Sequence, residues 1–186
     1  MKRLFAAIKT QPDQEFINRF RALRQALMHH KIKWVEEENI HITIKFFGQT
    51  EESRIPVISD VLNSLAGSVG EFSFRFEGLG IFGSSYSPRI LWVAIHPNEE
   101  LSGMMKALQK ELEVIGFPSD RQNAVPHLTL GRIRSLQDRH HFQKVLDSYR
   151  KISSQPMTAG KIILFESILM REGPEYQVVK SFPLKK

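Results

Sequence analysis

Asn39-Ile40-His41-Ile42-Thr43-Ile44-Lys45-Phe46-Phe47-Gly48 and Pro126-His127-Leu128-Thr129-Leu130-Gly131-Arg132 are the two stretches on which the fold turns. Both read as β-strands, and each carries a His-x-Thr triad. Successive strand side chains point to opposite faces. His41 and Thr43 therefore share one face, while Ile42 and Ile44 take the other. His127 and Thr129 stand in the same relation to Leu128 and Leu130. The apolar residues anchor each strand to a core, and the polar pair faces a groove.

The elements around the two stretches repeat in the same order. Leu4 to Ile8 reads as a short buried strand. Pro12-Asp13 opens a helix whose stripe is Phe16, Ile17, Phe20, Leu23 and Leu27. The first His-x-Thr strand ends at Gly48. A helix then carries Val57, Ile58, Val61, Leu62 and Leu65, closed by Gly67. Phe72, Phe74 and Phe76 alternate with polar residues as a half-buried strand. Gly78 to Pro88 reads as a loop, broken at most by a short edge strand at Ile81-Phe82. Strand Ile90 to Ile95 follows, then a helix capped by Asn98 with stripe Leu101, Met104, Met105, Leu108, Leu112 and Ile115. The second His-x-Thr strand comes next, then a helix with Phe142, Val145, Leu146 and Tyr149. Strands Ile162 to Met170 and Tyr176 to Phe182, joined by a turn at Gly173-Pro174, finish the chain.

The two registers agree closely. Leu4 aligns with Leu91 at an offset of 87 (91 − 4), and His41 with His127 at an offset of 86 (127 − 41). Spacing this regular implies duplication. We expect an α+β, bilobal, duplicated fold. It would be a single domain over residues 1–186, with pseudo-symmetric lobes from repeats of about 1–85 and 88–182 around a central cleft. A two-fold relation lets both polar pairs face that cleft.

Two imidazoles and two hydroxyls in one cleft suit a phosphodiester. One neutral His can take a proton from an attacking oxygen, and one protonated His can supply a proton to the leaving oxygen. Both states are reachable near neutral pH. The threonine hydroxyls can hydrogen-bond phosphate oxygens as charge develops. A zinc site on His41 and His127 would need a third ligand. Glu36-Glu37-Glu38 has no ligand-like spacing and reads as a solvated acidic turn. No cofactor and no metal are expected.

Composition narrows the function classes. The 186 residues are 41% hydrophobic and 25% charged, with 13 Phe, an ordinary globular balance. Twenty-six Lys and Arg against 20 Asp and Glu give a net charge of +6, suited to an anionic partner. The absence of cysteine excludes disulfides, thiolate nucleophiles and Cys-based zinc sites. Leu4 to Ile8 is too short for a signal h-region, and no stretch reaches membrane-span length. A cytoplasmic protein is expected.

The chain resembles the 2H phosphoesterase superfamily, and within it the bacterial and archaeal RNA 2′,3′-cyclic phosphodiesterases, also called 2′-5′ RNA ligases. The resemblance rests on Arg3 to Ile8, Asn39 to Gly48, Arg89 to Val93, Pro126 to Arg132, and the tail Glu166-Ser167 with Gly173-Pro174-Glu175-Tyr176. Val125 departs from it, since relatives often carry His or Phe there. The resemblance implies two antiparallel-rich sheets flanked by helices. It implies metal-independent opening of an RNA 2′,3′-cyclic phosphate to a 2′-phosphate, with reversible 2′-5′ ligation. His41 and His127 would be the acid/base pair, with Thr43, Thr129 and Arg132 on the phosphate. The implied partner is RNA with a 2′,3′-cyclic phosphate end, such as a tRNA fragment, and the implied state is a monomer. A small cyclic phosphate nucleotide as substrate, or a non-catalytic RNA-binding module, are the alternatives.

Other residues are read from their phase. Lys45 and Phe47 are in phase with His41: Lys45 reads equally as a phosphate contact or a solvated lysine. Phe47 reads as a lobe-packing residue before a base-stacking one. Phe46 is out of phase and reads as core, as does Trp92, the repeat partner of Phe5. Arg132 is out of phase with His127 unless Gly131 introduces a bulge that re-aims it. Arg134, Arg121, Arg89 and Lys33 are candidates for an RNA path. His29-His30, His96 and His140-His141 lack a shared β context, and the two pairs read as surface residues.

Overall fold

The computed structural model describes residues 1–118, 125–171 and 173–186. Its strands are β1 (Lys2–Lys9), β2 (Lys31–Trp34), β3 (His41–Thr50), β4 (Phe72–Gly83), β5 (Pro88–His96), β6 (His127–Ser135), β7 (Met157–Ala159), β8 (Lys161–Leu169) and β9 (Pro174–Pro183). Its helices are α1 (Gln14–Ala26), α2 (Ile55–Ser68), α3 (Glu99–Val114) and α4 (Arg139–Ser148). The fold is α+β, with every strand pairing antiparallel to its neighbours.

The strands run β7-β4-β5-β6-β3-β1-β8-β9, with β2 on the free edge of β6. The two halves of this curled sheet meet at a single pair, Ile42 opposite Leu128. Each half draws strands from both repeats. β4 leaves the first repeat to pair with β5, and β8 leaves the second to pair with β1. The sheet halves therefore do not follow the boundary near residues 85–88. A hairpin turn at Ser84 to Ser87 delivers β4 to β5 directly, which short antiparallel connections favour over a return to the parent half.

One face of the sheet is closed by the helices. Phe16, Phe20 and Leu23 of α1, Ile58, Leu62 and Leu65 of α2, Leu101, Met104 and Leu108 of α3, and Phe142 of α4 pack on Leu4, Ile8, Ile42, Leu91, Val93 and Leu128. Asp13 caps α1 by accepting from the Phe16 amide, and Asp138 caps α4 by accepting from the His141 amide. The opposite face holds a small second cluster of Phe5, Ala7, Ile163 and Phe165, with Tyr176 against it. That face carries the cleft.

Several sequence expectations are corrected. Gly78 to Gly83 is strand, not loop: β4 runs on through Gly78, whose φ of 91° lies inside a register shift between Phe76 and Leu79. Likewise β3 does not end at Gly48 but continues to Thr50 through a second irregularity at that glycine. In both cases a glycine in the left-handed region makes a bulge, not a stop. His30 is buried, not at the surface. Its Nε2 lies 3.2 Å from His141 Nδ1, and its Nδ1 accepts from the Gln137 amide at 3.2 Å. Glu36 and Glu37 reach back to Arg24 and Arg21 of α1, which fixes the approach to β3.

Candidate active site

The single β3–β6 pair sets the geometry of the triads. With Ile42 opposite Leu128, antiparallel register puts His41 across from Thr129 and Thr43 across from His127. Ile42 and Leu128 are fully buried, so the four polar residues lie on the cleft face, half-buried. His41 and His127 occupy diagonal positions, which on antiparallel strands lie about 7–8 Å apart. Imidazoles that rise from one face at two such backbone positions can reach a single tetrahedral group between them.

Each His is oriented by the carbonyl two residues before it. His41 Nδ1 donates to the Asn39 carbonyl at 2.6 Å, and His127 Nδ1 donates to the Val125 carbonyl at 2.7 Å. A carbonyl only accepts, so Nδ1 carries the proton in both rings and Nε2 is left for the cleft. Thr43 Oγ1 lies 3.1 Å from His41 Nε2. The role of residue 125 is filled by a backbone oxygen, which any side chain leaves in place. The departure at Val125 therefore costs the site nothing.

Aromatic rings wall each imidazole. His41 meets Phe5 at 5.1 Å and the edge of Tyr176 at 5.3 Å. His127 meets the edge of Phe82 at 4.8 Å and Trp92 at 6.1 Å. Phe82 stacks on Trp92 at 4.9 Å as Phe165 stacks on Phe5 at 5.2 Å. Trp92 is thus a wall of the site, not part of the core under the helices. Burial holds both imidazoles below the ordinary His range, against the raising effect of their carbonyl partners. The Arg132 guanidinium pushes His127 down further. Burial raises the Tyr176 phenol, while Arg132 and Arg3 oppose that shift.

Two matched bulges decide which later residues reach the cleft. Across β5, Leu91 pairs with Gly131 and Trp92 with Thr129, so Leu130 is the extra residue. Arg132 is thereby turned to the cleft side. Across β1, Ala6 pairs with Lys45 and Ala7 with Thr43, so Ile44 is the extra residue. That bulge reverses the phase beyond Thr43. Lys45 is buried, 7% exposed, and its Nζ donates to the Pro118 carbonyl at 2.6 Å. Phe47 packs edge-on against Phe117 at 5.3 Å. Phe46, expected in the core, instead lines the cleft with Arg3 over its ring at 5.1 Å.

The resulting cleft has a volume of about 340 Å³. His41, Thr43, Thr129, Arg132 and Tyr176 line it, and so do Lys33 and Arg134. Arg89 is exposed on β5 outside this lining, and Arg121 lies outside the described residues. Asn39 Nδ2 donates to the Pro174 carbonyl at 3.3 Å, fastening the β8–β9 hairpin over the His41 side. No group of three or more His, Cys, Asp or Glu able to hold a metal occurs among the described residues.

The model of the LigT-like phosphoesterases matches residues 8–92 and again 93–176, one copy per repeat. This chain belongs to that family, within the 2H phosphoesterases. Curated relatives include an RNA 2′,3′-cyclic phosphodiesterase of Aquifex aeolicus, 34% identical over 82% of this chain and 81% of its own. Another, from Aeropyrum pernix, is 32% identical over 88% and 93%. Among solved structures, a Thermus thermophilus protein superposes with a TM-score of 0.77 at 22% identity, covering 98% of this chain and 97% of its own. Escherichia coli LigT complexed with 3′-AMP gives a TM-score of 0.71 at 18% identity, covering 100% and 98%. No helix among the described residues is long and apolar enough to cross a membrane.

Proposed function

We propose that this chain opens the 2′,3′-cyclic phosphate at an RNA end to a 2′-phosphate, as a monomer in the cytoplasm and without metal. The observation that carries this reading is the crossed pairing of the triads about Ile42 and Leu128. It sets two proton-transfer groups at diagonal positions of one strand pair, with Thr43 beside His41 and Thr129 on the same face as His127. The relatives' activity agrees with it.

In the reaction, one neutral imidazole takes a proton from water through Nε2 as the water oxygen bonds to phosphorus. The bond from phosphorus to the ribose 3′ oxygen breaks, and that oxygen receives a proton from the second, protonated imidazole. The products are a 2′-phosphate and a 3′-hydroxyl. Thr43, Thr129 and Arg132 hold the non-bridging oxygens as their charge rises. Asn39 and Val125 keep both rings in the tautomer that presents Nε2. Phe46 offers an aromatic face at the cleft for a base. A ribose 5′-hydroxyl in place of water gives a 2′-5′ linkage by the same two transfers.

The test is His41→Ala and His127→Ala, each assayed on an oligonucleotide ending in a 2′,3′-cyclic phosphate. Each variant should lose about 10²–10⁴-fold in kcat, and EDTA should leave the wild-type rate intact. Folded variants that both keep the wild-type rate would end this reading.

A further inference from the structure

The cleft holds more positive charge than one cyclic phosphate needs. Arg3, Lys33, Arg132 and Arg134 line it, and among the described residues no Asp or Glu does. A 2′,3′-cyclic phosphate carries a single negative charge. Among the described residues, no carboxylate pairs with Lys33, Arg132 or Arg134, although Arg21, Arg24 and Lys2 all have acidic partners.

The arrangement of these cations is costly to the fold. Lys33 of β2 lies directly opposite Arg132 of β6. Like charges in directly opposed strand positions repel. Arg134 adds a third. Lys31 pairs with Ser135 and Ile32 with Ile133, so Arg134 is the extra residue of another bulge, and it lines the cleft with the other two. Two residues along a strand span about 7 Å, so Arg134 lies one step beyond Arg132 and away from the His pair. Lys33, opposite Arg132, sits beside that step. The β2 strand that brings Lys33 here comes from the first repeat, and its ladder to β6 is its only pairing among the described residues.

We propose that Lys33 and Arg134 form a second phosphate subsite, which holds the phosphodiester on the 5′ side of the terminal nucleotide. This rests on the reading of the His pair as a cyclic-phosphate site and adds its substrate length. The chain is then an enzyme of oligonucleotide ends, discriminating against cyclic mononucleotides by phosphate count. Bound phosphate removes the repulsion between Lys33 and Arg132. A second space of about 310 Å³ adjoins the cleft at Lys33 and Arg132 and is lined also by Arg24, Trp34 and Glu36, which leaves room for further chain.

The experiment compares kcat/KM on a dinucleotide ending in a 2′,3′-cyclic phosphate with kcat/KM on a 2′,3′-cyclic mononucleotide. Wild type, Lys33→Gln, Arg134→Gln and the double variant are measured. The ratio of dinucleotide to mononucleotide should favour the dinucleotide in wild type and fall about tenfold in the double variant. In parallel, binding of a labelled oligonucleotide ending in a 3′-phosphate is followed against salt. Each substitution should flatten the log–log salt slope by about 0.7. A ratio near one in wild type, or one that the variants leave unmoved, overturns the subsite. A wild type that turns over neither substrate instead removes the catalytic reading, and the salt slopes still decide whether Lys33 and Arg134 bind a phosphate.

Discussion

Gly80→Ala tests whether the aromatic wall positions His127 for catalysis or only fills space. Gly80 of β4 is the direct strand partner of Trp92. A Cβ at residue 80 would stand 2.7 and 2.8 Å from two atoms of the Trp92 ring. Ordinary carbon contacts begin at about 3.5 Å, so the ring must retreat by about 0.8 Å. Gly80 does not have a positive φ, so the added strain comes from space alone. Overpacking of this kind costs about 1–3 kcal/mol. Replacing a strand glycine returns about 0.5–1 kcal/mol. The net loss of about 0–2.5 kcal/mol should lower Tm by a few degrees, roughly 2–4 °C per kcal/mol for a chain of this size. The rate should fall further than the stability suggests. Phe82, stacked on Trp92, backs the His127 ring together with it, and misplacing a catalytic group by about 1 Å costs about 10²-fold. With the shift partly absorbed, kcat should drop about tenfold. Trp92→Phe removes the colliding atoms and installs the ring that Phe5 supplies in the other half. The double variant Gly80→Ala/Trp92→Phe should therefore regain most of the rate. The assays are steady-state kinetics and thermal melts on all three variants. A full rate in Gly80→Ala with a lowered Tm, or a loss that Trp92→Phe does not relieve, refutes the argument.

The pH dependence follows from both imidazoles being held below the ordinary His range of about 6.5. The active form has one proton on the pair, so kcat/KM should peak below about pH 6.5 and fall on the alkaline side. Arg132→Gln removes the charge that adds to the depression of His127 by burial, so the limb of the profile that His127 governs should move to higher pH while KM rises. The unfolded chain protonates these rings more readily than the folded one. Stability is therefore fully present above about pH 6.5 and lost as pH falls below it, as melts from pH 7 to pH 5 should show. Lys45→Met deletes the ammonium that donates to the Pro118 carbonyl at 2.6 Å. It should cost about 1–2 kcal/mol in urea unfolding while kcat/KM stays within about twofold, because Lys45 does not line the cleft.

The His and Thr positions were legible because a period of two needs only local regularity, and the triads end before either strand bulges. The residues just beyond them were not. Arg132 is out of phase on an ideal strand, and only the neighbouring Gly131 hints at the bulge, centred on Leu130, that turns it to the cleft. The equivalent bulge at Ile44 has no glycine to announce it, so strand alternation alone puts Lys45, Phe46 and Phe47 one phase out. The 86-residue offset that aligns His41 with His127 also aligns Phe46 with Arg132. Carrying the bulge across that offset would have put Phe46 in the cleft. Trp92 departs from its core expectation for a related reason. Its alignment with Phe5 was right, but Phe5 belongs to the small cluster on the cleft side. Strand β2 gives no clear sequence signal because Lys31-Ile32-Lys33-Trp34 is short and half polar. Its place depends on an edge of β6 that local patterns do not reveal.

The exchange of β4 and β8 between the halves ties the repeats into one another. Neither repeat completes a sheet half by itself: residues 1–85 lack β8 for β1, and residues 88–182 lack β4 for β5. A chain holding one repeat could close its sheet only by trading that strand with a second copy, as a domain-swapped pair does. A backbone cut at the Ser84–Ser87 turn therefore leaves two fragments that still clasp each other through both ladders. Co-expressed halves of this protein should assemble, and each alone should present an open strand edge.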